Sequence, residues 1–243
     1  NNTSDLYSQF NFLNPGLLGS REFFNIEFAN PIDKLGSAEK TQHLKKMIHP
    51  FTLRRTKEQV AKDLPDKTIT VLWCTMEAEQ RKLYNQYRDG YRNKLLKKID
   101  EHGINKSGMD VLEGLLRLRQ ICDHPALVNK TEEAALQASV KIEELTREVQ
   151  ENAGNHKLLI FSQFTEMLHL IKEEFDKANI SYCYLDGSTS LPNRKEEVTR
   201  FQEDETVKAF LISLKAGGVG LNLTVADYVY IVDPWWNPSA EMQ

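Results

Sequence analysis

Polar and apolar positions along this 243-residue chain follow two different rhythms. Up to about residue 150, apolar residues recur at helical spacing between irregular stretches. Residues 77–99 place Tyr84, Tyr87, Tyr91 and Leu95 three and four positions apart, the stripe of an amphipathic helix. Thr75 is its expected N-cap, with Glu77 and Glu79 suited to the positive end of the helix dipole. Residues 111–122 predict a second helix, opened by the box-like pair Asp110 and Glu113 and closed before Pro125. The run 67–73, after Pro65, is β-prone and extended. Residues 13–35, with Asn14-Pro15-Gly16 and Asn30-Pro31, are rich in turn formers.

After about residue 155 the rhythm changes. Residues 157–161, 180–185, 209–212 and 228–232 are short apolar runs, the length of buried parallel strands. Phe164, Leu168, Ile171 and Phe175 mark a helix between the first two. Pro192 stands at the first turn of another, which carries Val198 and Phe201. This alternation predicts an α/β fold, a parallel doubly wound sheet preceded by a mostly helical region. Residues 1–65 are expected to form a helical protrusion and linker. Residues 66–150 would be an extended linker and second helical subdomain, and residues 151–243 the α/β lobe.

The polar punctuation of the α/β half falls in one place. Ser162-Gln163 follows the first strand, Asp186-Gly187-Ser188-Thr189 the second, Ser213-Leu214-Lys215 the third and Asp233-Pro234-Trp235-Trp236 the fourth. All lie at carboxyl ends of predicted strands, the edge at which open α/β sheets bind ligands.

Composition narrows the class. The chain is 40% hydrophobic and 27% charged, ordinary for a globular protein. No apolar run approaches the ~18 residues of a membrane span, and the N-terminus is polar, unlike a signal peptide. Cys74, Cys122 and Cys183 are widely spaced, which suits free thiols in a reducing compartment. A net charge of −4 argues mildly against nucleic acid, but its distribution does not. Residues 45–62 hold six Lys/Arg against one Glu, and residues 81–98 hold seven against one Asp. Each cluster reads either as a phosphate-gripping patch or as the solvated face of a helix.

The chemistry carried by the loops is specific in type. Gly217-Gly218-Val219-Gly220 reads either as a backbone cradle for phosphate or as a tight strand-to-helix turn. It matches neither a dinucleotide fingerprint nor a Walker A loop. Lys215 adds a phosphate-seeking charge, and Asn222 an amide able to bind a ribose hydroxyl. Trp235 and Trp236 are adjacent on a loop, so both facing inward is difficult. Either one is core and the other covers the sheet edge, or one stacks or inserts against nucleic acid. Cys122-Asp123-His124 lacks the second pair of a zinc site. His156 and His169 have no nucleophile at useful spacing, so no catalytic or metal-ligating residue is assigned.

Six strings in order resemble the Swi/Snf-type family of helicase-related, DNA-dependent ATPases. Asp5-Leu6-Tyr7 through Phe12-Leu13-Asn14-Pro15-Gly16 looks like the segment after the last ATPase motif of that family's first lobe. Leu53-Arg54-Arg55-Thr56-Lys57 with Leu64-Pro65-Asp66-Lys67 looks like the linker to the second lobe. Leu116-Arg117-Leu118-Arg119-Gln120-Ile121-Cys122-Asp123-His124-Pro125 is a specific family string. Leu159-Ile160-Phe161-Ser162-Gln163-Phe164, Asp186-Gly187-Ser188-Thr189 and residues 213–223 resemble successive helicase motifs, and Asp233-Pro234-Trp235-Trp236-Asn237-Pro238 extends the match.

The resemblance implies a RecA-like second lobe within a two-lobe motor that uses ATP and Mg2+, both bound mainly by the first lobe, to step along double-stranded DNA. It implies phosphate-backbone contacts by Gln163, Thr189, Arg194, Lys215 and Gly218, insertion of Trp236 into a groove, and Gly220 and Asn222 facing nucleotide. The family's Walker lysine and final arginines have no counterpart here, so residues 1–243 alone are expected to be inactive. Partners would be duplex DNA, the first lobe and a DNA-bound complex such as RNA polymerase or chromatin, with no membrane. The setting would be cytoplasmic in a bacterium and nuclear in a eukaryote. The alternative is a non-catalytic DNA- or protein-binding module that keeps the fold.

Overall fold

The computed structural model describes residues 2–55, 57–60, 67–102, 107–131, 139–152, 154, 156–217 and 220–234, the side chains at 57, 58, 101 and 102 excepted. The chain divides into two compact units, residues 1–70 and 71–243.

In the first unit, α1 (Thr3–Leu13) opens with a capping box. The Asn2 side chain accepts from the Asp5 amide at 3.1 Å, and the Asp5 carboxylate accepts from the Asn2 amide at 3.3 Å. The turn-rich stretch that follows turns over residues 14–18 and is helical from Arg21. There α2 (Arg21–Phe24), a π turn (Asn25–Ala29) and α3 (Asn30–Asp33) run on from one another. Pro31 lacks the amide needed for a regular ladder, and the helix widens just ahead of it. Packing overrides the turn formers: Phe24 and Phe28 are fully buried with Tyr7, Phe10 and Leu44. α4 (Ala38–Ile48) completes this core, and α5 (Lys57–Val60) follows.

The 67–73 run forms no strand, and Ile69, Val71 and Trp73 are exposed. β-propensity measures fit to a pleated, half-buried surface, and this run meets none among the described residues. In the second unit, α6 (Ala78–His102) and α7 (Gly108–Asp123) pack together, with Tyr84, Tyr87, Tyr91 and Leu95 half-buried as their spacing predicts. α6 starts at Ala78, so Thr75 lies too early to cap it. Nor does Asp110 box the start of α7. Its carboxylate instead accepts from Lys98 at 2.7 Å and pairs with Lys94 at 3.2 Å. Part of the basic run on α6 is therefore spent inside the helical pair.

The sheet is parallel throughout, ordered β2-β3-β1-β4. Its strands are β1 (Leu158–Ser162), β2 (Tyr182–Leu185), β3 (Ala209–Ser213) and β4 (Tyr228–Ile231). Both faces are covered, which is why β1 and β3 read as continuous apolar runs. Leu158, Ile160, Ala209 and Leu211 face a core built with α8 (Val140–Asn152) and α9 (Thr165–Lys177). Leu159, Phe210 and Ile212 face a second core with Leu185 and with Phe201 of α10 (Leu191–Glu203). α8 supplies Ile142, Leu145 and Val149 to the first core, so the layer on the sheet begins ahead of the change in sequence rhythm. Ser190 caps α10, and Pro192 fits its first turn. At the opposite end of α10, Lys157 Nζ donates to the Phe201 and Asp204 carbonyls, the latter at 2.8 Å. On the sheet edge, the Tyr184 amide of β2 donates to Glu197 of α10 at 3.0 Å.

Candidate functional site

Parallel register brings the four strand ends to one edge. Ser162 sits opposite Ser213, Leu185 opposite Ile212 and Phe161 opposite Ile231, so the loops after all four strands open there. Ser162 and Asp233 fasten two of these loops together. The Ser162 hydroxyl donates to the Asp233 carboxylate at 2.9 Å, and the Gln163 amide donates to it at 3.0 Å. Asp233 is almost fully buried, which pushes its carboxyl up, while these bonds and the cations Lys141 and Arg119 oppose the push.

After β2, Asp186 organises a tight turn. Its carboxylate accepts from the Ser188 amide at 2.8 Å, the Ser188 hydroxyl at 2.6 Å and the Tyr184 hydroxyl at 2.9 Å. Burial alone would raise this group, but the hydrogen bonds together outweigh it and hold it at about 2. The Thr189 hydroxyl belongs to the same turn, accepting from the Asp186 amide at 3.1 Å.

After β3 a one-turn helix, α11 (Leu214–Gly217), leads into the glycine loop. A Cβ on Gly217 would stand 2.7 Å from Phe161 Cε1, so this glycine permits close packing on β1. Gly220 has φ +64°, a conformation that favours glycine. The turn reading thus accounts for Gly220, and close packing on β1 for Gly217. Arg194 reaches across from α10, and Nη2 donates to the Ala216 carbonyl at 2.9 Å. Its Nε is buried without a hydrogen-bond partner among the described residues.

A further group lies at the end of the Leu116–Pro125 string. Asp123, at the end of α7, pairs with Lys141 of α8 at 2.6 Å, and Lys141 also donates to the Val232 carbonyl at 2.9 Å. Arg119 donates to the Pro234 carbonyl at 2.5 Å. With its amide oxygen turned toward Arg119, Gln163 accepts from the same guanidinium, Nη1 standing at 3.2 Å. Burial, reinforced by Asp233, pushes the Asp123 carboxyl up to about 7 against the pull of Lys141 and Arg119. His124 accepts from the Ala126 amide at 3.0 Å, so neighbours in Cys122-Asp123-His124 have separate tasks. Charged residues closing an otherwise amphipathic helix were the available signal.

The predicted residues therefore divide. Gln163, Thr189, Arg194, Lys215, Gly220 and Asn222 all stand on the strand-end loops or the helix beside them. Lys215, Gly220 and Asn222 are exposed, whereas Gln163, Thr189 and Arg194 are half-buried and each spends a polar group within the protein. Gly218 and Trp236 lie outside the described residues, as do Trp235 and Leu64-Pro65-Asp66.

Residues 1–127 match the SNF2-related domain family and residues 140–243 the helicase conserved C-terminal domain. The chain belongs to the SNF2-related family. Among SNF2-type relatives, it is 39% identical to the putative ATP-dependent helicase/translocase YwqA of Bacillus subtilis and 32% identical to the nuclear protein STH1/NPS1 of Saccharomyces cerevisiae. Each comparison takes in the whole chain, which spans 26% and 20% of those relatives' lengths. The SWI2/SNF2 ATPase core of Sulfolobus solfataricus, solved in complex with dsDNA, superposes with a TM-score of 0.63 at 36% identity, covering 99% of this chain and 51% of that one. The parallel sheet with flanking helices is the RecA-like SNF2 architecture.

Proposed function

We propose that this chain supplies the second lobe of an ATP-driven duplex-DNA translocase, with one wall of an interlobe ATP cleft. The observation that carries the reading is the gathering of four polar strand-end loops on one edge of a parallel sheet whose fold likeness includes a DNA-bound SNF2 core. Gln163, Thr189, Arg194, Lys215 and Gly218 would grip the phosphate backbone, and Trp236 would enter a groove. Gly220 and Asn222 would face the nucleotide. Backbone contacts position without reading sequence, so binding would tolerate any duplex and weaken with salt. ATP hydrolysis would need Mg2+ and the first lobe, and lobe closure would convert it to movement. The cargo would be a DNA-bound assembly, in the bacterial cytoplasm or a eukaryotic nucleus.

The test is steady-state ATP hydrolysis by the full-length protein without nucleic acid, with duplex and with single strands. Strong stimulation by duplex is expected. No stimulation by either would favour a binding module that keeps the fold without the motor.

A further inference from the structure

The backbone leaving β4 is held at three successive carbonyls. Lys141 donates to that of Val232 at 2.9 Å, and Arg119 to those of Asp233 at 3.5 Å and Pro234 at 2.5 Å. Pro234 has no amide of its own, so its carbonyl is its one backbone handle. The two cations come from different helices, α7 and α8. Asp123 holds Lys141 in place with its side chain 2% exposed, and the end of α7 is fixed in turn by Ser139, whose hydroxyl donates to the Asp123 carbonyl at 2.5 Å. Gln80, at the start of α6, donates to the Ile121 carbonyl at 2.7 Å, which ties the first helix of the pair to the same corner. A buried ion pair is a poor route to stability, since apolar replacements often do as well or better. Here its charges converge on the exit of one strand, which is a geometric use.

We propose that Arg119, Asp123 and Lys141 are positioning residues that fix residues 232–234 and thereby hold the strand-end edge in the geometry that grips duplex DNA. Their role runs through the backbone carbonyls they hold. The inference rests on the reading of the strand ends as the DNA-gripping edge, and its first consequence is measurable without DNA.

Hydrogen exchange on the full-length protein reads that consequence. In Lys141→Met and Arg119→Lys, the Gln163 amide and the 228–234 peptide should exchange about tenfold faster through local opening. The 209–213 peptide should change no more than in Ile142→Val, a core variant that touches none of the three carbonyls. Lys141→Arg, which keeps the charge and reach, should restore protection. In the two loosened variants, base pairs moved per ATP should fall several-fold. Unchanged exchange at 228–234, or an equal rise in Ile142→Val, overturns the inference. Fast exchange with an unchanged ratio of movement to ATP overturns the role in gripping duplex. If Lys141→Met fails to fold, Arg119→Lys, at a half-buried residue, decides the matter. A wild-type protein not stimulated by duplex would sink the functional reading, and the exchange result would still decide the positioning.

Discussion

Asp123 gives the clearest residue-scale consequence of burial. An unfolded aspartate loses its proton near pH 4, while the folded one holds it to about 7. Between those values the folded state binds more protons, so this group's contribution to stability falls as pH rises from about 4 to about 7. Arg119 and Lys141 oppose the shift and Asp233 reinforces it. In denaturant titrations across that window, the stability of wild type relative to Asp123→Asn should decline with pH. A constant difference would mean that Asp123 is ionised throughout. Gly217→Ala should cost about 1–3 kcal/mol from overpacking against Phe161, partly recovered by Phe161→Leu in thermal melts. At this scale the sequence was half legible. Residue types at the strand ends announced the edge, but no spacing rule says that Arg194 turns to Ala216 or Arg119 to Pro234, because those partners lie 22 and 115 positions away.

Elements were legible where burial imposes a rhythm. The strands read clearly because β1 and β3 are covered on both faces, and the α6 stripe because α7 lies along it. Capping was less legible. Thr75 and Asp110 have the right chemistry, but the helix start at Ala78 and the pull of Lys98 decide their roles. The 67–73 run misled for the opposite reason, since propensity exists without a surface to receive it. Lys215, exposed on α11, allows a test of the glycine loop as an element. Lys215→Ala in the full-length protein should weaken duplex binding evenly across sequences and lower the salt slope by about 1. A sequence-selective loss would contradict backbone contact.

For the whole molecule, the family was legible because its strings recur in order, and their order is a property of the chain and not of any one loop. What they do not convey is how much of a motor is present. Residues 1–243 contain no Walker A pattern, so purified alone they should show no measurable ATP turnover with or without duplex, by a phosphate-release assay. Robust turnover would overturn the assignment of nucleotide binding to a separate lobe. The strand order carries one more consequence, for synthesis. β1 emerges from the ribosome first, yet its neighbours are β3 and β4, and β2 bonds only to β3. The first two strands therefore share no ladder, and the sheet of the described residues cannot begin to assemble until residues 209–213 have been translated. Until then the apolar faces of β1, β2, α9 and α10 are left without their shared partner, the interval in which a nascent chain depends on being shielded.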